Sequence, residues 1–337
     1  MPPEVRIATY NVEWFDSLFD NKGRLHMDRR WSSRHDVTRA EQAEALGIVF
    51  TAMNADAVMV IEAPDTSSRR SSVRALTHFA ESFDLRTREV VTGFANDTQQ
   101  EIALMYDPAV LTVRHDPLAS DAAPRFDGQF EIDLDVDATL DRVVFSKPPL
   151  ELSVTTNAGQ ELRMIGAHLK SKAPHGARTR DEIMQFAIAN RRKQLAQAIW
   201  LRRRIDSHLT AEQSLIVLGD LNDGPGLDEY EDLFGRSSVE IILGDGGPHL
   251  YDPHAELALQ SLLGAQPTTA RFFLKDKGHY LEALLDYIMV SPDLRARAPQ
   301  WRIWHPFNDP RCYAVPELRE ALLTASDHFP VTLDIDL

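Results

Sequence analysis

The sequence predicts an α/β fold in which mixed β-sheets are covered by helices. Short apolar runs, bounded by polar or turn residues, are typical of buried strands. Longer stretches between them carry apolar residues at helical spacing. Strands and helices alternate early in the chain, whereas the later strands are joined by long loops, and this order indicates mixed sheets with helices packed on them.

Ten segments carry this interpretation. The predicted strands are Val5–Tyr10, Ala57–Ile61, Ile102–Tyr106, Leu162–Ala167, Leu215–Leu218, Leu285–Val290 and Val331–Ile335. The predicted helices are Thr38–Met53, Ser71–Phe83 and a long one from about Arg180 to Ser207. A further strand with one charged face is predicted from the alternation in Glu131–Asp137. Because no repeat or low-complexity linker divides the 337 residues, we expect a single domain over residues 1–337.

The composition is that of an ordinary globular protein, with 43% hydrophobic and 26% charged residues. The single cysteine, Cys312, excludes an internal disulfide, and we expect it to have no catalytic part. The N-terminus lacks the pattern of a signal peptide, and no run approaches the roughly 18 apolar residues of a membrane span. These features predict a cytoplasmic protein without a membrane span, although a trimmed leader stays open.

The net charge is −15, from 36 basic and 51 acidic residues. Nonspecific binding of nucleic acid draws mainly on cationic surface that releases counterions. The excess of acidic residues therefore argues against tight nonspecific binding of nucleic acid, although a local basic groove would still allow the protein to contact a nucleic acid.

Polar residues directly follow several of the predicted strands. Glu62, His168 and Asp220 each stand at the end of an apolar run. Strand ends of α/β sheets are where a rigid scaffold can hold side chains toward a common crevice. The same position, repeated several times, predicts a functional site at one edge of the sheets.

The chemistry-bearing residues form a set rich in carboxylates, amides and imidazoles. Hard divalent cations prefer carboxylate and amide oxygens, and phosphoryl transfer needs a positioned nucleophile with donors aimed at charged oxygens. The sequence has no cluster of cysteines, and this argues against a structural zinc site. Taken singly, each residue also has an ordinary explanation as a turn former, a surface residue or an internal hydrogen-bonder. The set is Asn11, Glu62, His168, Asp220, Asn222, Asp286, Asp327 and His328.

Six short motifs contain these residues and stand in order along almost the whole chain. They are Thr9–Glu13, Val60–Glu62, Gly166–Ser171, Gly219–Asp223, Leu285–Ile288 and Ser326–Pro330. Together they resemble the endonuclease/exonuclease/phosphatase superfamily, which includes pancreatic deoxyribonuclease, abasic-site endonucleases, neutral sphingomyelinases and inositol polyphosphate phosphatases. The segment His168–Lys172, followed by a basic helix, is most similar to bacterial nuclease-like members.

The resemblance implies a four-layer α/β/β/α sandwich of two mixed β-sheets flanked by helices, with the site at one rim. It implies a metal-dependent hydrolase of phosphate esters, most similar to a nuclease-like phosphodiesterase, that uses Mg²⁺ or Mn²⁺ and acts on nucleic acid or a small phosphate ester. Two alternatives stay open. One is a phosphomonoesterase or phospholipid-type phosphodiesterase with a small substrate, and the other is a noncatalytic binding protein that retains the fold.

The resemblance also implies roles on the metal side of the site. Glu62 is implied to be the principal metal ligand, with Asn11 and Asp327 as further metal or phosphate contacts. Asp220 is implied to orient or deprotonate the attacking water, and Asn222 to hold phosphate oxygens together with Asn11.

Two imidazoles are implied on the phosphate side. His328 contacts the scissile phosphate, with its ring fixed by Asp286, and a carboxylate behind an imidazole favours the protonated ring. His168 is implied as the second imidazole, and Glu101 is a candidate to support it. Whether Asp220 or His328 is the base stays open.

The chain departs from the superfamily at two positions. Ile61 stands where Gln often precedes the metal-ligand Glu, which puts a secondary hydrogen bond in doubt. Lys147 stands where relatives often carry Arg, and it is expected to bind phosphate as a point charge without a bidentate fork.

A cationic stretch begins at Lys170, another expected substrate contact, and indicates a polyanionic substrate. We expect the arginines of the long helix to form a solvated face, because apolar residues recur there at helical spacing. The cationic residues are Lys170, Lys172, Arg178, Arg180, Arg191, Arg192 and Lys193, with Arg202, Arg203 and Arg204 further along the helix.

Overall fold

The computed structural model describes residues 4–133, 141–173, 176, 179–224, 235–245, 247–260, 266–274 and 278–337. In these ranges the strands β1 to β15, in chain order, are Glu4–Asn11, Ala57–Ala63, Glu89–Thr92, Glu101–Tyr106, Leu111–His115, Phe130–Ile132, Asp141–Val143, Leu150–Thr156, Glu161–His168, Leu215–Asp220, Ala270–Leu274, His279–Ala283, Asp286–Val290, Gln300–Ile303 and Val331–Asp336. The helices α1 to α8 are Arg39–Met53, Ser72–Ser82, Arg180–Thr210, Ser238–Leu243, Pro253–Gln260, Pro292–Arg295, Pro310–Ala314 and Pro316–Ala325, and a short 3₁₀ helix covers Phe15–Leu18.

The predicted α/β architecture is confirmed. The seven strands expected from apolar runs correspond to β1, β2, β4, β9, β10, β13 and β15, and the three expected helices correspond to α1, α2 and α3. Of the charged strand expected at Glu131–Asp137, β6 covers Glu131 and Ile132, while residues 134–137 lie outside the described residues.

Two large mixed sheets form the centre of the molecule. One has the strand order β14-β15-β1-β2-β4-β3, and the other has the order β13-β10-β9-β8-β5. In the first sheet β1 runs parallel to β2 and antiparallel to β15. In the second, β10 runs parallel to β9 and antiparallel to β13. Two small hairpins, β6–β7 and β11–β12, stand beside them.

Three apolar layers hold the sandwich together. Successive side chains of a strand point to opposite faces of its sheet. On β2, Met59 therefore lies in the core between the two sheets, whereas Val58 and Val60 pack with α1 and α2 on the outer face. On the opposite side, α3 and α4 cover the second sheet through residues such as Trp200 and Ile242. The layers are thus α/β/β/α, and strands buried on both faces become nearly continuous apolar runs.

The two sheets approach each other closely at Gly166 of β9. A Cβ at this position would lie 2.4 Å from the sulfur of Met59 on β2. Glycine leaves room here for the end of the Met59 side chain, which packs directly against the backbone of β9.

The topology brings several chain segments to one rim. The parallel strands β1 and β2, and likewise β9 and β10, end on the same side of their sheets. The antiparallel strands β13 and β15 begin there, so Asp286 pairs with Asp220 across β10 and β13. Asp220 also pairs with His168 on β9. Residues from distant parts of the sequence therefore meet at this edge.

The prediction that the arginines of α3 form a solvated face is wrong for two of them. Arg191 and Arg204 are 1% and 2% exposed. Arg191 binds Asp223 at 2.8 Å, and Arg204 binds Glu151 at 2.9 Å. A buried charge requires such a partner because its removal from water is costly.

The cationic stretch is correspondingly less available to a ligand than the sequence suggests. Lys172 also binds Asp223, at 2.6 Å, and Arg192 lies 3.2 Å from Asp141. Arg178 lies outside the described residues. Among the described residues, no helix is both long and apolar enough to cross a membrane.

Cys312 is fully buried, and burial together with nearby Asp309 raises the pKa of its thiol to about 12. Because the thiolate is the reactive form, we expect the native protein to resist Ellman's reagent at pH 8. Guanidinium-unfolded protein should release close to one equivalent of thionitrobenzoate under the same conditions, which serves as the control. Rapid stoichiometric labelling of native protein would contradict the buried placement.

Candidate active site

Asp220, the last residue of β10, lies at the centre of the rim and is 1% exposed. Asn11 Nδ2 donates to its Oδ2 at 2.9 Å, and the backbone N–H of Asn222 donates to its Oδ1 at 2.7 Å. Asn222 adopts a φ of 50°, which asparagine tolerates better than most residues. Both carboxylate oxygens of Asp220 therefore have fixed donors.

Gly219 makes this placement possible. Its φ is 136°, and a Cβ there would lie 2.0 Å from the carbonyl oxygen of Ala167. Only glycine fits this backbone approach, and this explains why a Gly-Asp pair ends the strand.

His328 and Asp286 form a buried pair beside Asp220. His328 Nδ1 donates to Asp286 Oδ2 at 2.7 Å, and its Nε2 lies 4.0 Å from Asp220 Oδ2. Although burial acts to lower it, the pKa of His328 is held well above its usual range by Asp286, and further by Asp220 and Asp327. The backbone N–H of Asp286 donates to Thr269 Oγ1 at 3.0 Å. The pair thus favours an imidazolium held in one orientation.

His168 has the opposite electrostatic environment. Burial, followed by the charges of Lys147 and His328, lowers its pKa well below the usual value. Its Nε2 lies 3.6 Å from Asp220 Oδ2, and Lys147 Nζ lies 3.3 Å from its Nδ1. Burial also lowers the pKa of Lys147, against the attraction of Glu62 and Asp220. A neutral and a charged imidazole therefore flank one carboxylate.

Glu62 stands at a β-bulge, where the register between β2 and β4 shifts between Ile61 and Ala63. Its φ is 62°, a left-handed conformation that is uncommon for glutamate. Its Oε2 accepts from Gln100 Nε2 at 2.7 Å and from the Trp14 backbone N–H at 3.3 Å. A bulge redirects a side chain away from the regular ladder.

Asp327 and Glu13 add further carboxylates at the same rim. Burial raises the pKa of both carboxyl groups, and the positive charge of Arg34 acts to lower both pKa values. Arg34 also forms an ion pair with Glu13. Ser326 connects the chain here, because its hydroxyl donates to the Asn11 carbonyl oxygen at 2.8 Å and accepts from the His328 backbone N–H at 3.2 Å. The segment before β15 is thereby fixed to the end of β1.

One expected residue, Glu101, makes a contact other than the one expected of it. Glu101 accepts from the Thr66 backbone N–H at 2.8 Å, whereas the described contacts of the His168 ring are with Lys147 and Asp220. The structure therefore gives no support to the expectation that Glu101 holds His168. Lys170 follows His168 closely in the chain, and burial and the charge of Lys193 lower its pKa.

Four contributors to the rim were not singled out from the sequence. They are Trp14, Arg34, Gln100 and Ser326. Trp14 and Gln100 donate to Glu62, Arg34 pairs with Glu13, and Ser326 donates to the carbonyl oxygen of Asn11. Glu13 belongs to the first of the six motifs. Ser326 also stood within one, whereas Arg34 and Gln100 lie in loops without a recognisable pattern.

The donor set fits a hard divalent cation. Within the described residues, the buried oxygens Asn11 Oδ1 and Asp286 Oδ1 have no hydrogen-bond partner. Carboxylate oxygens of Asp220 and Asp286 lie within 4.8 Å of each other beside His328, whose protonated ring would not itself bind a cation. Unpartnered buried oxygens are costly, and a cation satisfies oxygens of this kind.

Comparisons with known proteins bear on the family and the fold of the chain. The protein-family model described as "Endonuclease/Exonuclease/phosphatase family" matches residues 8–328 of the chain. The solved endonuclease/exonuclease/phosphatase from Bacteroides vulgatus aligns with a TM-score of 0.51 and 13% identity, over 99% of each chain. Truncated Caenorhabditis elegans TDP2 aligns with a TM-score of 0.51 and 14% identity, over 99% of this chain and 98% of that one. These structural likenesses show the fold alone. No curated protein matches the chain.

Proposed function

Because the chain belongs to the endonuclease/exonuclease/phosphatase family, we propose that the rim is the active site of a metal-dependent, nuclease-like phosphodiesterase. The observation that carries this proposal is the convergence of Asn11 from one sheet with Asp220 and Asp286 from the other, beside His328. Carboxylates, amides and one charged imidazole in a buried cluster suit phosphoryl transfer, which needs positioning and charge stabilisation.

Glu62 is the proposed principal ligand for Mg²⁺ or Mn²⁺, with Asn11 Oδ1 and Asp327 as further contacts. When bound, such a cation would neutralise charge on the phosphate and polarise its P–O bonds. Lys147 lies close enough to Glu62 and Asp220 for their charges to affect its pKa, so it is the proposed phosphate contact on this side. Lys170 is a proposed contact further out.

Asp220 is the proposed base for the attacking water. Hydrogen bonds fix both of its oxygens, so it can accept a proton from one defined position. The water oxygen forms the new bond to phosphorus, its proton passes to Asp220, and the leaving oxygen takes a proton from solvent as its bond breaks. His328 Nε2 holds a phosphate oxygen, with Asp286 fixing the ring.

Asn222 and His168 complete the proposed site by positioning groups around Asp220. Asn222 Nδ2 lies 3.3 Å from Asp220 Oδ2 and also donates to the Leu169 carbonyl oxygen at 3.1 Å. A role for Glu101 would be confined to supporting the loop at Thr66. A single domain over residues 1–337 and a cytoplasmic location stay predictions.

A substrate panel tests the proposed function. It comprises bis(p-nitrophenyl) phosphate, p-nitrophenyl phosphate, supercoiled plasmid, single-stranded DNA and a phosphocholine lipid, each with Mg²⁺, Mn²⁺ or EDTA. We expect the diester and nucleic acid to be cleaved, with loss of activity in EDTA. Turnover of the monoester or the lipid alone would replace the nuclease-like assignment. Absence of any turnover together with absence of Mn²⁺ binding would indicate a noncatalytic protein.

Glu62→Gln tests the proposed metal ligand. The amide keeps the size of the side chain but removes the charge, so we expect Mn²⁺ affinity to fall by at least about 10–100-fold, the cost typical of losing even an outer-sphere partner. Titration calorimetry with Mn²⁺ measures this change, and excess Mn²⁺ should restore part of the rate. Glu44→Gln, on the exposed surface of α1, is the matched control. Unchanged affinity in Glu62→Gln would remove Glu62 from the metal site.

A further inference from the structure

Gln100 contacts the carboxylate of Glu62 from outside the recognised motifs. Its Nε2 donates to Glu62 Oε2 at 2.7 Å. Gln100 directly precedes β4, whose first residue, Glu101, pairs with Ala63 beyond the bulge. The register shift leaves Glu62 outside the paired positions, so Gln100 reaches it through its side chain.

This hydrogen bond restricts how the Glu62 carboxylate can turn. The terminal torsion of a glutamate has broad minima, so the carboxylate rotates freely unless a partner fixes one oxygen. Oε2 receives the short bond from Gln100 and a longer one, 3.3 Å, from the Trp14 backbone. Among the described residues, none donates a hydrogen bond to Oε1, which leaves that oxygen for a cation.

The loop carrying Gln100 is itself held in place. Asn96 Nδ2 and Thr98 Oγ1 each donate to the Gln100 carbonyl oxygen at 3.2 Å. At the start of the loop, Phe94 packs edge-on against His115 of β5, with ring centroids 4.9 Å apart. The loop is therefore tied to the second sheet while its last residue reaches Glu62 on the first.

The residue directly before Glu62 cannot make this bond. Ile61 is fully buried in the apolar core between the two sheets, and its side chain has no donor. A carboxylate that binds a metal is usually hydrogen-bonded on the side away from the ion, and such partners raise metal affinity by fixing the ligand.

We propose that Gln100 is a positioning residue that orients Glu62 for binding of the divalent cation. The proposal rests on the proposed function, since it takes Glu62 as the metal ligand. Gln100 acts through Glu62 and leaves the reacting atoms untouched. It orients the Glu62 carboxylate before the substrate binds, and it affects the affinity for the metal alone.

The test compares Gln100→Ala with Gln99→Ala. Gln99 is the exposed neighbour in the same loop and provides a matched control. Calorimetric titration with Mn²⁺ should show a Kd about 10–100-fold higher for Gln100→Ala, the range typical of a lost outer-sphere partner, and a wild-type Kd for Gln99→Ala. The melting temperature without metal should be nearly unchanged in both, while the upward shift caused by a fixed Mn²⁺ concentration should be smaller in Gln100→Ala.

Kinetics with bis(p-nitrophenyl) phosphate separate positioning from a general structural effect. At saturating Mn²⁺ the kcat of Gln100→Ala should return close to that of wild type, because only the metal-free carboxylate is less ordered. Gln100→Leu, which keeps most of the volume without an N–H donor, should behave in the same way and replaces Gln100→Ala if that variant melts early.

Three results would overturn the proposal. If wild type binds Mn²⁺ and both Gln100 variants bind it equally well, Gln100 has no positioning role although the proposed function stands. If wild type binds no Mn²⁺, the proposed metal site fails, and the role of Gln100 fails with it. A lowered kcat that saturating Mn²⁺ does not restore would also contradict a role confined to the metal.

Discussion

Asp220→Asn is expected to remove nearly all turnover of a phosphodiester while the chain still folds. The amide cannot accept a proton from water, and general-base catalysis typically contributes about 10²–10⁴-fold to the rate. The substitution also gives Asn11 Nδ2 and the Asn222 N–H one acceptor oxygen where the carboxylate offered two. The kcat for bis(p-nitrophenyl) phosphate and nicking of supercoiled plasmid measure the loss.

Two further measurements make the Asp220 result decisive. Asp121→Asn changes the same residue type at an exposed position and should retain wild-type kcat. Far-ultraviolet circular dichroism and the melting transition of Asp220→Asn should show a folded protein. If the folded variant kept more than about a tenth of the wild-type kcat, well above the loss expected for a missing base, Asp220 would not be the base.

The second large effect concerns the pair formed by His328 and Asp286. His328→Ala removes the group proposed to hold the phosphate, and Asp286→Asn removes the carboxylate that fixes the ring at 2.7 Å. Each change is expected to lower kcat by roughly 10²–10⁴-fold, as for a lost acid–base or charge-stabilising group. Because both act on one imidazole, the double variant should lose far less than the product of the single losses.

The double-mutant cycle measures this coupling directly through kcat at saturating Mn²⁺. Both side chains are buried, so thermal melting of all three variants must accompany the kinetics. The comparison counts only variants that remain folded at the assay temperature. Independent, multiplying losses would show that Asp286 does not act through His328, and the assignment of the pair would be wrong.

The parts of the fold that the sequence predicted are those whose strands are buried on both faces. β2 and β10 become continuous apolar runs because one face meets a helix and the other meets the second sheet. β5 was missed because exposed Thr112 and Arg114 alternate with buried Leu111 and Val113, so that only two apolar residues stand in a strand of five. Alternation of this kind is a signal for a strand, but with two apolar residues it is weaker than the continuous apolar runs of the buried strands.

The site was predictable where its residues belong to motifs at strand ends. Asp220 and His168 follow such strands, and the structure pairs them across β9 and β10. Gln100 and Arg34 could not be found in this way, because their positions depend on a bulge and on loops that periodicity does not describe. The burial of Arg191 was equally hidden, since its partner Asp223 lies far along the chain.

The packing at Gly166 bears on the geometry of the candidate site. Asn11 and Asp220 hydrogen-bond across the gap between two separate sheets, so their distance is inherited from how far apart those sheets stand. At Gly166 the sulfur of Met59 occupies the space that a Cβ would take, so the two sheets pack closely at this point. The relative position of Asn11 and Asp220 therefore depends on apolar packing between the sheets, and a chain with every polar residue intact could still hold the candidate site at the wrong width.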